Sequence, residues 1–270
     1  MSTFYIIKSD GRTEPFSLEK YKRSLQRASV SQRHIKEVIK KIKPFLKKGM
    51  TTQQLYKKTF SLLRGLERAC ASRYSLKEAL RLLGPSGFPF EILISTLLQL
   101  QGYKTKRDEF LNGKCIRHEF DVLAYKNGRC TMVECKFHNK VGTKSDVKTV
   151  LYMKARFDDV AAVTKKLGDC LIATNTQFTS QAIKYGDCVG IKLLAWAYPK
   201  NNGIEKLIER SSLYPITVLT HLKKSDRQKL LDAEVIFCTD LLANKLMLKN
   251  KGLTEKNIND ILKECDTLCP

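Results

Sequence analysis

In "HEFDVLAYKNGRCTMVECKFHN", residues 118–139, four side chains able to do chemistry stand at strand spacing: Glu119, Asp121, Glu134 and Lys136. Asn127-Gly128 between them signals a two-residue hairpin turn, since both residues tolerate positive φ. With that turn Lys126 faces Arg129, Asp121 faces Glu134, and Glu119 faces Lys136. A period of two puts all four on one face of the hairpin. Phe120, Val122, Val133 and Cys135 fall on the other, ready to pack against a helix. Opposed carboxylates with Cβ atoms about 5 Å apart repel each other. A hard divalent cation bridging their oxygens removes that repulsion, and the adjacent Lys136 can hold a phosphate oxygen or a water. The bland alternative is a plain Glu119–Lys136 cross-strand ion pair, with Asp121 and Glu134 splayed into solvent.

The elements that must position these residues can be read on both sides of the hairpin. Residues 3–17 read as two short strands around Asp10-Gly11, and helical spacing starts at Ser17 as N-cap. Further helices are expected at about 31–48, 51–69 and 71–83, with Thr51 or Thr52 as a cap. Gly84-Pro85-Ser86-Gly87 is a punctuated break. A helix from Pro89 to Gln101 leads into strands near 103–107, 116–125 and 130–137. A helix at about 145–167, a strand at 169–174, a short helix from "FTSQAIKYG" and a strand from "CVGIKLLAWAY" complete an α/β pattern, a mixed sheet covered on both faces. Pro199 to Gly203 is a second break, and the remainder is mostly helical. The expected domains are therefore 1–84, 85–200 and 201–270.

Bulk properties narrow the partners. The chain has 49 Lys/Arg against 27 Asp/Glu, a net charge of +22. Residues 1–84 hold 20 of the basic and 6 of the acidic side chains, a surplus of 14. Phosphate-bearing ligands, nucleic acid and nucleotides, fit such an excess. The apolar run "ILISTLLQL" is too short to span a bilayer, and the start lacks the layout of a secretory signal. A cytoplasmic protein without a membrane partner is expected. Nine cysteines without a C-x-x-C pair point to reduced, buried thiols rather than a disulfide scaffold, with Cys265 and Cys269 on a tail without partners.

An Asp on one strand and Glu-x-Lys on the next, after a helix bearing a Glu, resemble the PD-(D/E)XK nuclease superfamily. More narrowly they resemble its Mrr-type restriction endonuclease branch. "GFPFE" at 87–91 and "IATNTQFTSQAIKYG" stand where that branch has its opening helix and its later strand-then-helix element, so the likeness covers about 85–200. The resemblance implies a restriction-endonuclease-like mixed β-sheet flanked by helices. It also implies Asp121 and Glu134 as ligands of Mg²⁺ (or Mn²⁺), Lys136 as the group that orients or helps deprotonate the attacking water, and Glu91 as a further metal or water-positioning carboxylate. Glu119 is a second-tier candidate. His118 and His138 stay off the catalytic list. Tyr152 and Arg156, one helical turn apart, are readable either as DNA-facing groups or as ordinary helix-surface residues.

"IIKSDGRTEPFSLEKYKRSLQRA" at 6–28, with "GMTTQQLY" and "ASRYSLKEALR" later, is similar to the ATP-cone, a β-hairpin leading into a helical bundle. That resemblance implies ATP or dATP as regulatory ligand and places Lys8, Glu14, Ser17, Lys20 and Thr52 at the nucleotide. Ser9 departs from the family's second basic residue. Together the two resemblances imply an endonuclease acting on double-stranded DNA, regulated by nucleotide, with a restriction or defence role and a homodimer if both strands are cut. The rival expectation is a nucleotide-responsive DNA-binding regulator on an inactive nuclease fold, and an RNA-directed enzyme is a third.

Overall fold

Strands β1 (Tyr5–Ile7) and β2 (Thr13–Pro15) pair antiparallel, Tyr5 facing Pro15 and Ile7 facing Thr13. Ser9 and Asp10 of the expected turn lie outside the residues described by the computed structural model, which are 4–8, 11–47, 49–249 and 252–270. Helix α1 (Leu18–Arg27) begins where expected: the Ser17 hydroxyl accepts the Lys20 amide. Helix α2 (Gln32–Ile42) buries Ile35, Val38, Ile39 and Ile42, an apolar stripe at helical spacing. After a 3₁₀ turn at 43–45, β3 (Met50–Thr51) pairs in parallel with β1. Thr51 then caps α3 (Thr52–Leu66), its hydroxyl accepting the Gln54 amide while the Gln54 side chain accepts the Thr51 amide. Thr52 is thus the first helical residue, and the cap is Thr51. Helix α4 (Arg68–Arg81) follows. Tyr21, Leu25, Val38, Ile42 and Leu63 form the centre of this core.

The next elements build a five-stranded sheet. Helix α5 (Phe88–Leu100) precedes β4 (Lys104–Asn112), β5 (Arg117–Lys126) and β6 (Arg129–Lys136), which run antiparallel. Then come β7 (Lys144–Ser145), α6 (Val147–Ala161), β8 (Leu167–Thr174), β9 (Gln177–Phe178), α7 (Ser180–Val189) and β10 (Lys192–Leu194). The order β10-β8-β6-β5-β4, with β8 and β10 parallel to β6, makes a mixed α/β sheet whose middle strand is β6. Helices α6 and α7 share one core with Phe120, Leu123, Met132 and Ile172. On the opposite face α5 lies against β4, where the Ser95 and Thr105 hydroxyls are 2.8 Å apart. The strand expected through "CVGIKLLAWAY" shortens to three residues because α7 continues to Val189 and ends at Gly190, φ +73°.

Helices α8 (Ile204–Ser211), α9 (Lys224–Leu231), α10 (Cys238–Ala243), α11 (Leu246–Lys249) and α12 (Glu255–Leu268) complete the chain. Backbone contacts divide it into two units: Met1–Ala79 with Tyr214–Lys229 and Phe237–Pro270, and Leu80–Leu213 with Leu230–Ile236. The last helices thus belong with the N-terminal bundle. The buried Glu264 of α12 explains how, for it accepts from the Ser72 hydroxyl (2.7 Å), the amides of Thr220 (2.8 Å) and His221 (3.2 Å), and His221 Nδ1 (2.9 Å). Nearby Arg73 donates to the Thr267 carbonyl. Among the described residues no helix is long and apolar enough to cross a membrane.

Glu264→Ala strands four donors from two other segments, one from Ser72 and three from Thr220-His221. It is expected to cost about 3 kcal/mol in urea denaturation, against about 1 for Ser72→Ala; equal costs would contradict the central role of this carboxylate.

Candidate active site

The turn between β5 and β6 has Asn127 at φ +52° and Gly128 at φ +74°, the left-handed pair that a two-residue hairpin of this twist needs. Pairing runs from Lys126–Arg129 to Val122–Val133 in the expected register. It stops one pair short of Asp121 and Glu134. On the other side of β5 the β4 ladder also skips Asp121, passing from Arg107–Val122 to Glu109–Phe120, with Asp108 at φ +54°. At this break the Asp121 carboxylate takes the place of a strand partner: Oδ2 accepts the Cys135 amide at 2.6 Å.

The break also resets the alternation of side chains. Phe120, expected on the face of Val122 and Val133, instead joins Leu123 and Met132 in the α6 core. The guanidinium of Arg156 lies 4.4 Å from its ring. Arg156 is buried at 7% exposure, neither a DNA-facing group nor a helix-surface one. It donates to Glu134 Oε2 at 2.7 Å and to the Glu119 carbonyl. Lys136 Nζ donates to Glu134 Oε1 at 2.6 Å, so its carboxylate partner is Glu134 and not Glu119. Glu134, itself 7% exposed, thereby has a cation on each oxygen. Lys136 keeps 37% of its side chain open to solvent.

Asp121 and Glu91 are less well served. Burial, then the neighbouring Glu134 charge, pushes Asp121 up to about 6, against the pull of the Cys135 amide. Glu91, in the first turn of α5, is pushed up to about 7 by burial and by Asp121 and Asp108, with Arg107 opposing. Arg107 stacks on Phe88 (4.8 Å), one helical turn from Glu91, and its Nη1 is buried without a hydrogen-bond partner. The structure thus brings Glu91, Asp121, Glu134 and Lys136 into one electrostatic cluster and leaves the Glu119 side chain outside it. No group of three His, Cys, Asp or Glu among the described residues is disposed to hold a metal ion. A carboxylate pair with uncompensated charge still suits Mg²⁺, which commonly takes one or two protein carboxylates and fills its shell with water and substrate phosphate.

Three contributors were not foreseen. Arg156 follows Val150 and Met153 along the buried stripe of α6, and a basic residue at a core position was the available signal. Asn175 clasps the end of β6, accepting the His138 amide and donating to the His138 carbonyl, both at 2.9 Å. Arg107 carries no motif. Both histidines have structural partners: His118 bonds Asp159 at 2.8 Å, and His138, lowered by burial and by Lys136, bonds Ser145 at 3.0 Å. In the N-terminal bundle, Lys8 and Lys20 both face Glu14, at 2.7 and 3.7 Å. The Lys8 ammonium, foremost by its hydrogen bond, holds that carboxyl below its ordinary value.

Comparison with known proteins places these features. Residues 4–81 match the ATP cone domain model, and residues 214–269 match the model described as AF1548-like, C-terminal. An uncharacterised protein of Archaeoglobus fulgidus is 39% identical over 174 residues, covering 63% of this chain and 97% of that protein. The crystal structure of a protein of unknown function, AF1548, is 36% identical with a TM-score of 0.56, covering 67% of this chain and 97% of that one. The chain belongs to the AF1548-like family. A slighter likeness, to the MspJI restriction endonuclease in complex with a 27-mer oligonucleotide, has 13% identity and a TM-score of 0.37 over 62% of this chain and 36% of that one, too low to argue from.

Because Asp121 and Glu91 hold protons more tightly when folded, their contribution to stability falls as pH rises from about 4 to about 7. Asp121→Asn is expected to flatten that fall and stabilise the protein at pH 7 by about 1–2 kcal/mol, after allowance for screening. Thermal midpoints across the range, wild type against variant, measure it; parallel curves would show that Asp121 is not strained.

Proposed function

We propose that this chain is a Mg²⁺-dependent DNA endonuclease with a restriction-endonuclease-like catalytic unit, regulated by ATP or dATP at its N-terminal cone. The observation that carries the reading is the convergence of Asp121, Glu134, Lys136 and Glu91 at a break in the β4–β5–β6 ladder, two of these carboxylates lacking adequate counter-charge. Asp121 and Glu134 would hold Mg²⁺ or Mn²⁺, which supplies Lewis-acid polarisation of the phosphate and neutralises charge on the leaving oxygen.

The chain's own groups account for the rest. Lys136, partly exposed beside Glu134, donates a hydrogen bond to the attacking water and orients it toward phosphorus. Glu91, raised to about 7, is matched to accept that water's proton at neutral pH. Arg107, with an unpartnered buried donor, acts on Glu91 and can pair with a phosphate oxygen. Arg156 pairs with Glu134 and orients it without touching substrate. The basic surplus supports duplex DNA held through its phosphates, with sequence preference set elsewhere.

One observation favours the rival reading, a nucleotide-responsive DNA-binding regulator: both Glu134 oxygens already have cationic partners. Plasmid nicking decides. Wild type with Mg²⁺ is expected to nick, with activity rising between pH 6 and 7 as Asp121 and Glu91 ionise. Lys136→Ala and Asp121→Asn should each lower the rate about 10²- to 10⁴-fold. Metal-independent DNA binding by all three proteins without cleavage identifies the regulator, and cleavage of RNA alone identifies an RNA-directed enzyme.

The cone is the other half of the proposal. Residues 4–81 match the ATP cone domain, and Lys8 and Lys20 converge on Glu14 close to the Ser17-capped start of α1. Helix N-termini and lysines together suit phosphate. ATP or dATP at millimolar concentration is expected to raise the thermal midpoint through linkage, and Lys20→Ala to reduce the rise. An unchanged midpoint removes nucleotide sensing and leaves the nuclease reading standing.

A further inference from the structure

The cysteines near the C-terminus do not sit on a tail without partners. Cys238 opens α10, while Cys265 and Cys269 lie one turn apart at the end of α12. The two helices pack together, both other thiols act on the Cys238 thiol as neighbours, and it lies 3.8 Å from the Pro215 carbonyl. Cys238 and Cys265 are buried, and Cys269 is half-buried at the protein's edge. Cys238 therefore has two thiol neighbours from a separate segment, one of them half-open to reagents.

We propose that Cys269 and Cys238 form a dithiol redox site that exchanges with low-molecular-weight disulfides and closes to an intrachain disulfide. The chemistry needs a nucleophilic sulfur at the surface and a second sulfur behind it. Burial holds the thiols of Cys70, Cys130, Cys135 and Cys170 up, and that of Cys238 with them, away from the thiolate form. Cys269 runs the other way. A hydrogen bond from Cys238 and one from the Tyr214 backbone favour its thiolate and outweigh the effect of burial.

The step balances in two exchanges. The Cys269 thiolate attacks one sulfur of the reagent disulfide, forming a mixed disulfide and expelling one thiolate. Cys238, its proton passing to the departing sulfur, attacks Cys269 Sγ, forms the protein disulfide and expels the second reagent half as a thiol. The protein dithiol is oxidised by two electrons, and the reagent is reduced to two thiols. The new bond ties the start of α10 to the end of α12, inside the segment matched by the AF1548-like C-terminal model.

The full-length protein, treated with oxidised glutathione and digested without reductant, is expected to yield a peptide linked through Cys238 and Cys269, lost on adding dithiothreitol. Cys265→Ser should retain this link and Cys269→Ser abolish it. Cys238→Ala should instead trap glutathione on Cys269. A link through Cys265, or a stable glutathione adduct on Cys269 in the wild type with Cys238 left free, overturns the proposal. Because Cys269 is half-exposed, its serine variant tests the idea even if Cys238→Ala fails to fold.

Discussion

A carboxylate buried in the middle strand of a sheet must be given counter-charge where it stands. Glu134 is that carboxylate. Its strand pairs with β5 on one side and β8 on the other, where Glu134 faces Ile172, so the side chain cannot swing out to water. A buried ion without a partner costs several kcal/mol, which makes the placement of Arg156 a condition of the fold. Arg156 can be there only if α6 is held in register. Asp146 caps the start of that helix, and Asp159 near its end accepts from the Cys115 amide, the Ile116 amide and His118. Those bonds, foremost that of His118, hold the Asp159 carboxyl down at about 2. The two ends of α6 thus fix a guanidinium that lies between them.

Much of this was legible beforehand, for reasons that can be named. Asn127-Gly128 fixed the hairpin because few other pairs accept two left-handed residues, and the register followed from the turn. Caps at Ser17 and Thr51 were readable because their side chains bond amides three residues on, a purely local event. Glu91, Asp121, Glu134 and Lys136 were named as one group and stand together. Strict alternation misplaced Phe120, because the skipped Asp108–Asp121 position depends on contacts between three strands and leaves no local mark. The partner of Lys136 changed for the same reason: once the ladder breaks, Glu119 no longer presents its carboxylate across from it. Arg156 was misread because its burial depends on which face of α6 meets the sheet.

Non-local stitching was also what hid the relation between the chain's two ends. Nothing in "NINDILKEC" announces that Glu264 binds a serine near residue 70, since each donor is an ordinary residue of its own segment. The glutamate's near-complete burial inside an amphipathic helix is the physical fact, and it appears only when the helix is packed. The same packing turns two cysteines spaced four apart, which the sequence places on a tail without partners, into neighbours of a third.

On the endonuclease reading, the charges of the cluster explain why a cation belongs there. Three carboxylates face three cationic side chains, yet the pairing is lopsided: Lys136 and Arg156 both bond Glu134 and act on Asp121 only through space, and Glu91 has Arg107 as its one opposing charge. Burial first, and this shortfall after it, keep protons on the two carboxyl groups to about pH 6 and 7. A proton or a divalent ion can fill it, and the two exclude each other. Metal uptake at this site therefore releases protons and tightens as pH rises. A phosphodiester brings another negative charge to the same place, which protonated carboxyls alone would not offset. Substrate and metal are then mutually favourable ligands, each improving the field that the other enters.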